Sequence, residues 1–227
     1  MLWSPNTQLH YPFQNTALDY SGNARHGTIN GSGVFATRPN GSRCLYFDGT
    51  GDYVATPSFG LSGTVVVFAA DVRCKLHAAR NQSFIGENAA SSTVGYIWSF
   101  RPLNSNSLNW KYADGVGDRD GYLTDYFAAP YNDVWLHLCI VCDYGGKYIY
   151  FYRDGIPFGS PIAMTGTPVF PSTARVKYIG QMNLDTGRYF TDGYLQNVQL
   201  WTLATMPAAG QMLANVNRIM LGMNPIW

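Results

Sequence analysis

Short β-branched or aromatic runs, each followed by a cluster of Gly, Asn, Asp and Ser, set the tightest limit on what this chain can fold into. The clusters are Ser21-Gly22-Asn23, Asn30-Gly31-Ser32-Gly33, Asp48-Gly49-Thr50-Gly51-Asp52, Gly145-Gly146 and Asp154-Gly155. Gly, Asn and Asp tolerate positive φ, so such clusters close hairpins between strands. The intervening runs at 64–70, 134–142, 148–152 and 175–179 are rich in Val, Ile, Tyr and Phe, as a pleated, half-buried surface favours. Many short strands with turns between them predict a sandwich or jelly roll. Residues 135–142 are apolar on both alternating faces, which predicts a strand at the centre of a sheet.

A length of 227 residues suits one large β domain, and 46% hydrophobic residues suffice for its core. Only 13% are charged, against roughly 25% in an ordinary soluble domain. The surface is thus left to Asn, Ser, Thr, Gly and Tyr, which suits neutral partners or packing against other proteins. A net charge of +1 gives no electrostatic reason to expect nucleic acid. No apolar run reaches the ~18–20 residues of a membrane helix, so membrane insertion is not expected. Residues 1–20 lack a basic start followed by an apolar stretch, so a secretory signal is not expected either, and synthesis in the cytosol is. Cys139 and Cys142 form a C-x-x-C on a predicted strand, where positions i and i+3 face opposite sides. Zinc and redox chemistry need converging sulfurs. With Cys44 and Cys74, the pair reads as small buried hydrophobes.

The pattern changes after Trp201. Thr205 can cap a helix with Pro207 in its first turn. Met212, Leu213, Val216, Ile219 and Met220 then recur at the spacing of one helix face, which predicts a helix over 205–221. Two units are expected: a sandwich over 1–203, and a C-terminal helix with an apolar tail over 204–227. Met220, Leu221, Met223, Ile226 and Trp227 concentrate apolar side chains there and are the candidate interface, either with a partner or folded back on the chain itself.

Five stretches in order carry a family likeness. They are Asp19-Tyr20-Ser21-Gly22-Asn23 running on to His26-Gly27-Thr28, then Phe47-Asp48-Gly49 with Asp52-Tyr53-Val54. Trp135-Leu136-His137 ending at Asp143, Tyr152-Arg153-Asp154-Gly155, and Tyr189-Phe190 with Gly193 and Val198 follow. Together the chain resembles the LamG-like branch of the concanavalin A-like lectin/glucanase superfamily. The resemblance implies an all-β, jelly-roll β-sandwich with a short C-terminal helix, and structural roles for His26 and His137. It also implies a structural Ca²⁺ held through Asp19, Asn23 and the last motif. There Gln196 and Asn197 stand where the family usually has carboxylates, and amides bring no charge to a calcium site. The expected site is therefore weak or absent.

The glucanase relatives use paired glutamates, and a glycosidase needs two suitably spaced carboxyl groups. Here Glu87 is the only glutamate, in the loop-like Gly86-Glu87-Asn88, and most of the aspartates lie in turns. An enzyme is not expected. Sugar rings stack on aromatic faces while polar groups read their hydroxyls. Tyr148, Tyr150 and Tyr152 alternate onto one face of a strand. A predicted hairpin over 94–100 and 108–112 carries Tyr96, Trp98, Phe100, Trp110 and Tyr112, with Ser99, Arg101, Asn109 and Lys111 expected on its opposite face. Asp118 and Asp120 form a close pair in the acidic loop 114–121, where Arg119 offsets part of the charge. Candidate glycan contacts are thus Tyr148, Tyr150, Asn109, Lys111, Asp118 and Asp120. Free-standing LamG-like domains of this kind resemble those of bacteriophage structural proteins. A non-enzymatic module on the virion surface (decoration, fibre or host adhesion) is the leading expectation. Its partners would be other virion proteins, further copies of itself, or a cell-surface glycan. A bacterial carbohydrate-binding module is the alternative.

Overall fold

The computed structural model describes residues 4–77, 80–87, 95–102, 104–184, 187–223 and 225–226, without the side chains of 183, 184, 187 and 188. The first strands are β1 (Thr7–Tyr11), β2 (Thr28–Asn30), β3 (Val34–Thr37), β4 (Arg43–Asp48), β5 (Tyr53–Ala55) and β6 (Val65–Cys74). Next come β7 (Gln82–Glu87), β8 (Trp98–Arg101), β9 (Leu108–Ala113), β10 (Asp118–Leu123), β11 (Leu136–Asp143) and β12 (Tyr148–Arg153). Then follow β13 (Ile156–Pro157), β14 (Ile162–Ala163), β15 (Lys177–Ile179), β16 (Gln181–Leu184), β17 (Gly187–Phe190), β18 (Asp192–Leu203) and the helix α1 (Ala209–Met220).

The strands form two stacked sheets and a hairpin. The larger sheet runs β13-β12-β11-β6-β18-β4-β3, with β1 added on β18 and β14 on β12. The smaller runs β10-β9-β8-β7-β15-β5-β2, and β16–β17 pair with each other. Alternation along each strand sends Val66, Phe68, Leu138, Ile140, Phe151 and Leu200 inward to meet Ile85, Ile97, Trp110, Tyr112 and Ile179 of the other sheet. The odd-numbered partners Val65, Val67, Cys139, Val141 and Trp201 point outward, where α1 covers them with Met212, Val216 and Ile219. Both faces of β11 are therefore buried throughout, as its unbroken apolar run requires. Cys139 lies under the helix and Cys142 in the main core, on opposite faces; all four cysteines are buried and free.

The helix starts later than the capping pattern suggests. Its N-cap is Ala208, extended at φ −57, ψ 147, with no side-chain cap. Proline disfavours the helical region for the residue before it, so Pro207 keeps Met206 out of the helix and Thr205 cannot cap it. What holds this uncapped helix is burial: Met212, Val216 and Ile219 are fully enclosed, at about 1.5–3 kcal/mol each. Asn215, unremarkable in sequence, is also buried on the same side.

The hairpin of β8 and β9 is in a different register from the expected one. Trp98 pairs with Lys111, Ser99 with Trp110 and Phe100 with Asn109. Residues directly opposite share a face, so the aromatics divide: Trp110 and Tyr112 join the main core, while Trp98 and Phe100 lie outside beside Asn109 and Lys111. A one-residue difference in pairing exchanges every side chain between faces. The acidic loop is also partly strand, since Asp118, Arg119, Asp120 and Gly121 belong to β10.

Candidate functional site

On the outer face of the smaller sheet, β8, β9 and β10 bring together Trp98, Phe100, Asn109, Lys111, Asp118, Asp120 and Tyr122. The register places Asp118 opposite Ala113, Asp120 opposite Lys111 and Tyr122 opposite Asn109. Beneath them Trp98 stacks on Phe100 at 4.1 Å and on Tyr189 of β17 at 5.4 Å, with the Lys111 ammonium 5.4 Å from its ring. Trp98 donates its Nε1–H to Ser83 Oγ at 3.1 Å and is only 3% exposed. It is a support for the face, not an open stacking platform. The exposed ring is Tyr122, at 57%.

The polar groups here are positioned rather than solvated at random. Lys111 Nζ lies 3.6 Å from Asp118 Oδ2. The Asp120 carboxyl is pushed above its ordinary value, first by lost solvation and further by Asp118, while Lys111 opposes the shift. Asn109 is nearly buried, yet its Oδ1 meets no donor among the described residues. A buried amide oxygen without a donor is costly, and a water or a ligand hydroxyl can supply one. Below this row, Asp114 accepts from the backbone of Gly117 at 2.7 Å and Val116 at 3.0 Å and pairs with Arg119 at 2.6 Å. Those bonds, in that order, hold its carboxyl down at about 2. Arg119 thus spends its charge on the turn.

The tyrosine candidates are elsewhere. Tyr148, Tyr150 and Tyr152 point outward from β12, on the larger sheet, and Tyr152 is buried under α1. Tyr148 is exposed and its ring lies 6.3 Å from that of Tyr150. The fold therefore does not join Tyr148 and Tyr150 with Asn109, Lys111, Asp118 and Asp120: the two groups sit on opposite outer surfaces of the sandwich. Among the interface candidates, Leu221, Met223 and Ile226 are exposed, and Trp227 lies outside the described residues. The tail turns back along its own helix. Asn215 accepts from the Ile226 N–H at 2.6 Å and donates to its carbonyl at 2.9 Å, while Gln211 donates to the same carbonyl at 3.1 Å. Met220 reaches toward the Gly155 turn.

The residues implied for calcium do not fit an ion. Asp19 accepts from the backbone of His10 (2.9 Å), Ser21 (2.9 Å) and Arg25 (3.0 Å), and from the Ser21 hydroxyl (2.7 Å). Four donors occupy its carboxylate. Asn23 turns its amide N–H groups to the carbonyls of Thr7 and Gln8, and Gln196 Oε1 accepts from Arg38 at 2.5 Å and Ser42 at 3.2 Å. A guanidinium thus faces the very oxygen that would have to bind a cation. His26 and His137 both bond to chain partners, His26 Nδ1 accepting from the Asp19 N–H at 3.1 Å and His137 Nδ1 sitting 2.8 Å from Asp71.

Glu87 is not in a loop. It ends β7, opposite Lys177 of β15, and its Oε1 is 2.7 Å from Lys177 Nζ, with neither side chain exposed. Burial pushes the Glu87 carboxyl up and the Lys177 ammonium down, and each opposes the other's shift. The ammonium also bonds the carbonyls of Phe59 and Arg175. The only glutamate is locked inside the sandwich, away from the Asp118–Asp120 row.

One group of residues is not visible as a motif. Tyr46, Tyr194 and Trp135 come from β4, β18 and the approach to β11, yet all are half-exposed on the outer face of the larger sheet. Their spacing in sequence carries no signal, because only the strand order unites them.

Comparison with known proteins agrees with this architecture. The family described as the concanavalin A-like lectin/glucanases superfamily matches residues 48–209. No curated protein matches the chain in sequence. Domain 4 of AbnA, a GH43 extracellular arabinanase from Geobacillus stearothermophilus solved with arabinotriose, superposes with a TM-score of 0.69 at 16% identity, over 95% of this chain and 98% of that one. The receptor-binding domain of botulinum neurotoxin D gives 0.67 at 13% identity, over 96% of this chain and 52% of the toxin chain. The equivalent domain of the mosaic serotype C/D toxin gives 0.67 at 11%, over 96% and 51%. The chain thus spans about half the length of the toxin domains, and at such identities the likeness is one of fold. With more than half of its length inside the family match and the two-sheet sandwich in place, the chain belongs to the concanavalin A-like lectin/glucanases superfamily.

Proposed function

We propose that this protein is a non-enzymatic, glycan-binding module displayed on a virion surface, as a decoration, fibre or host-adhesion component. The observation that carries the glycan reading is the row Asn109, Lys111, Asp118, Asp120 and Tyr122 at the exposed β10 side of the smaller sheet's outer face. There a buried amide oxygen that meets no donor among the described residues lies beside an exposed tyrosine ring and charged groups. Amide, carboxylate and ammonium groups bond sugar hydroxyls, and the Tyr122 ring offers a face for sugar C–H groups. The fold hosts binding modules and enzymes alike; the absence of catalysis is supported by Glu87, whose carboxylate is committed to Lys177 in the interior. Leu221, Met223 and Ile226 would supply the contact to neighbouring virion proteins or to further copies.

The second reading is a carbohydrate-binding module of a polysaccharide-using system. Near-complete superposition on an arabinanase domain solved with arabinotriose favours it. Titration calorimetry with arabinotriose and a panel of bacterial surface oligosaccharides tests binding. The expected result is a complex weakened at least tenfold by Asp120→Asn and by Tyr122→Ala; equal affinity in both variants would remove this face from consideration. Reducing-sugar release from the same oligosaccharides tests the enzyme question, and turnover abolished by Asp118→Asn would reverse it. Capsid or tail genes beside this one would support the virion reading, whereas polysaccharide-degrading enzymes would favour the second.

A further inference from the structure

Helix α1 covers only part of the larger sheet's outer face. Beyond its C-terminal end, the register lines up Val34, Tyr46, Tyr194 and Arg73 across β3, β4, β18 and β6, with Trp135 next to Arg73. A second row beside it holds Ala36, Cys44, Gln196, Asp71 and His137. Tyr194 is in ring contact with Tyr46 at 4.9 Å and with Trp135 at 6.1 Å. Three half-exposed aromatic rings thus form a ledge on the outer face, beyond the part of the sheet that α1 covers.

Fixed polar groups adjoin the ledge. The Arg38 guanidinium lies 3.9 Å over the Trp135 ring and is held by Asp71 at 2.9 Å and by Gln196. Asp71 is fixed in turn by His137, whose other ring nitrogen, buried, has no partner among the described residues. Between β6 and β18 the pairing skips from Gln196 to Gln199, and Asn197 there has φ +52. Such a bulge bends a strand and re-aims side chains. Here it sets Gln196 and Asn197 side by side in a cleft of about 350 Å³ with Arg38, Asn40, Ser42 and His10. Asn197 Oδ1 accepts from Gln199 at 2.8 Å and lies 2.9 Å from His10 Nε2, and its amide N–H groups meet no acceptor among the described residues.

We propose that this surface is a second carbohydrate-binding site, specific for neutral oligosaccharides: Tyr46 and Tyr194 stack on sugar rings, Trp135 under its Arg38 cap walls the ledge, and Arg38, Asn40 and Asn197 bond hydroxyls. Neutral sugars are favoured because the two arginines on this face are already paired, Arg38 with Asp71 and Arg73 with Asp133, so no net positive charge is left to select an acidic ligand. Adjacent aromatic rings with planar donors at their edge match the alternating C–H and O–H character of a sugar chain. The site does not depend on the row at Asn109 to Tyr122, which lies on the other sheet.

The test is tryptophan fluorescence and calorimetric titration of the full chain with arabinotriose, cellotetraose, mannotriose and chitotetraose, up to millimolar concentration. The expected result is saturable binding by at least one of them, weakened roughly tenfold or more by Tyr194→Ala and by Asn197→Ala, as for deletion of a hot-spot contact. Tyr194→Phe keeps the ring and should keep binding, and an unchanged melting point in each variant excludes unfolding as the cause. Asp120→Asn should leave the Tyr194-dependent component of binding intact, so that a sugar filling both faces gives two separable components. Binding abolished by Asp120→Asn but untouched by Tyr194→Ala would assign the sugar to the smaller sheet and overturn this site while sparing the first proposal. No binding by any of the four would overturn it outright.

Discussion

Lowering the pH should destabilise this protein through His10, and the size of the effect can be worked out. The His10 ring is buried beside β18, with Nε2 2.9 Å from Asn197 Oδ1. Burial lowers its pKa, and the Asn197 bond and the Asp19 charge only partly offset this, so it settles at about 4 against an ordinary 6.5. The folded state therefore holds the neutral ring, while the unfolded chain takes up a proton below pH 6.5. Stability from this group is complete above 6.5 and is lost as pH falls toward 4. At roughly 1.4 kcal/mol per pH unit, the loss between pH 7 and 4.5 is about 2.4 kcal/mol. Asp48 and Asp114, both held at about 2, contribute their full stability above the ordinary aspartate value of 3.8 and lose it only as pH falls below that, so they leave this window clear. Urea unfolding followed by tryptophan fluorescence at pH 7, 6, 5 and 4.5 measures the slope. In His10→Gln, which keeps a donor toward Asn197 and does not titrate, the same series should be flatter by about 2 kcal/mol. The other three histidines are common to both proteins and cancel. Parallel curves for the two proteins would show that His10 is already charged when folded, and the argument from burial would fail.

Four further outcomes are expected. Gly193→Ala should destabilise by more than about 2 kcal/mol, because a Cβ there would sit 2.1 Å from the Arg73 carbonyl oxygen at a φ of +151; a thermal melt within a degree of the parent would contradict this. Lys177→Met should cost about 3–5 kcal/mol by stranding Glu87, and adding Glu87→Leu should recover most of it, which a double-mutant cycle by chemical denaturation reads directly. EDTA and millimolar Ca²⁺ should each leave the melting point unchanged, since the Asp19 and Gln196 oxygens are taken by N–H and O–H donors; a rise of several degrees with calcium would sink that reading. Deleting residues 222–227 removes the bonds from Asn215 and Gln211 to Ile226 and should lower stability by about 1–3 kcal/mol, with light scattering reporting whether association is lost as well.

The sandwich was legible because its signals are local: turn clusters at fixed places, and in residues 135–142 an apolar run with no polar face. The site was legible only in part. Asn109, Lys111, Asp118 and Asp120 do share one surface, but the side on which Trp98 and Phe100 lie depends on pairing Trp98 with Lys111, and sequence does not specify that register. Tyr148 and Tyr150 keep the expected alternation, yet which sheet their strand joins is a matter of topology. The helix start misled because Thr205 satisfies the capping pattern while Pro207, two residues on, forbids its use. Glu87 looked like a loop residue because its neighbours are Gly86 and Asn88; its partner Lys177 is 90 positions away. Trp135 opens one of the family stretches, but nothing in the sequence joins it to Tyr46 and Tyr194; only the strand order makes the ledge.

The twelve residues of β18 pair with β1, β4 and β6 at once, and this has a consequence for how the protein is made. The strand that joins the N-terminal segment to the middle of the larger sheet is synthesised after every strand it pairs with. Until Asp192–Leu203 emerges, β1 has no partner in the sheet and β4 is separated from β6, so the outer edge of β6 stands open. Non-local pairing of this kind folds slowly and leaves strand edges exposed meanwhile. A nascent chain stalled near residue 185 would present one open, apolar edge of β6 to its surroundings, and chaperone engagement during synthesis should peak just before the seam strand appears.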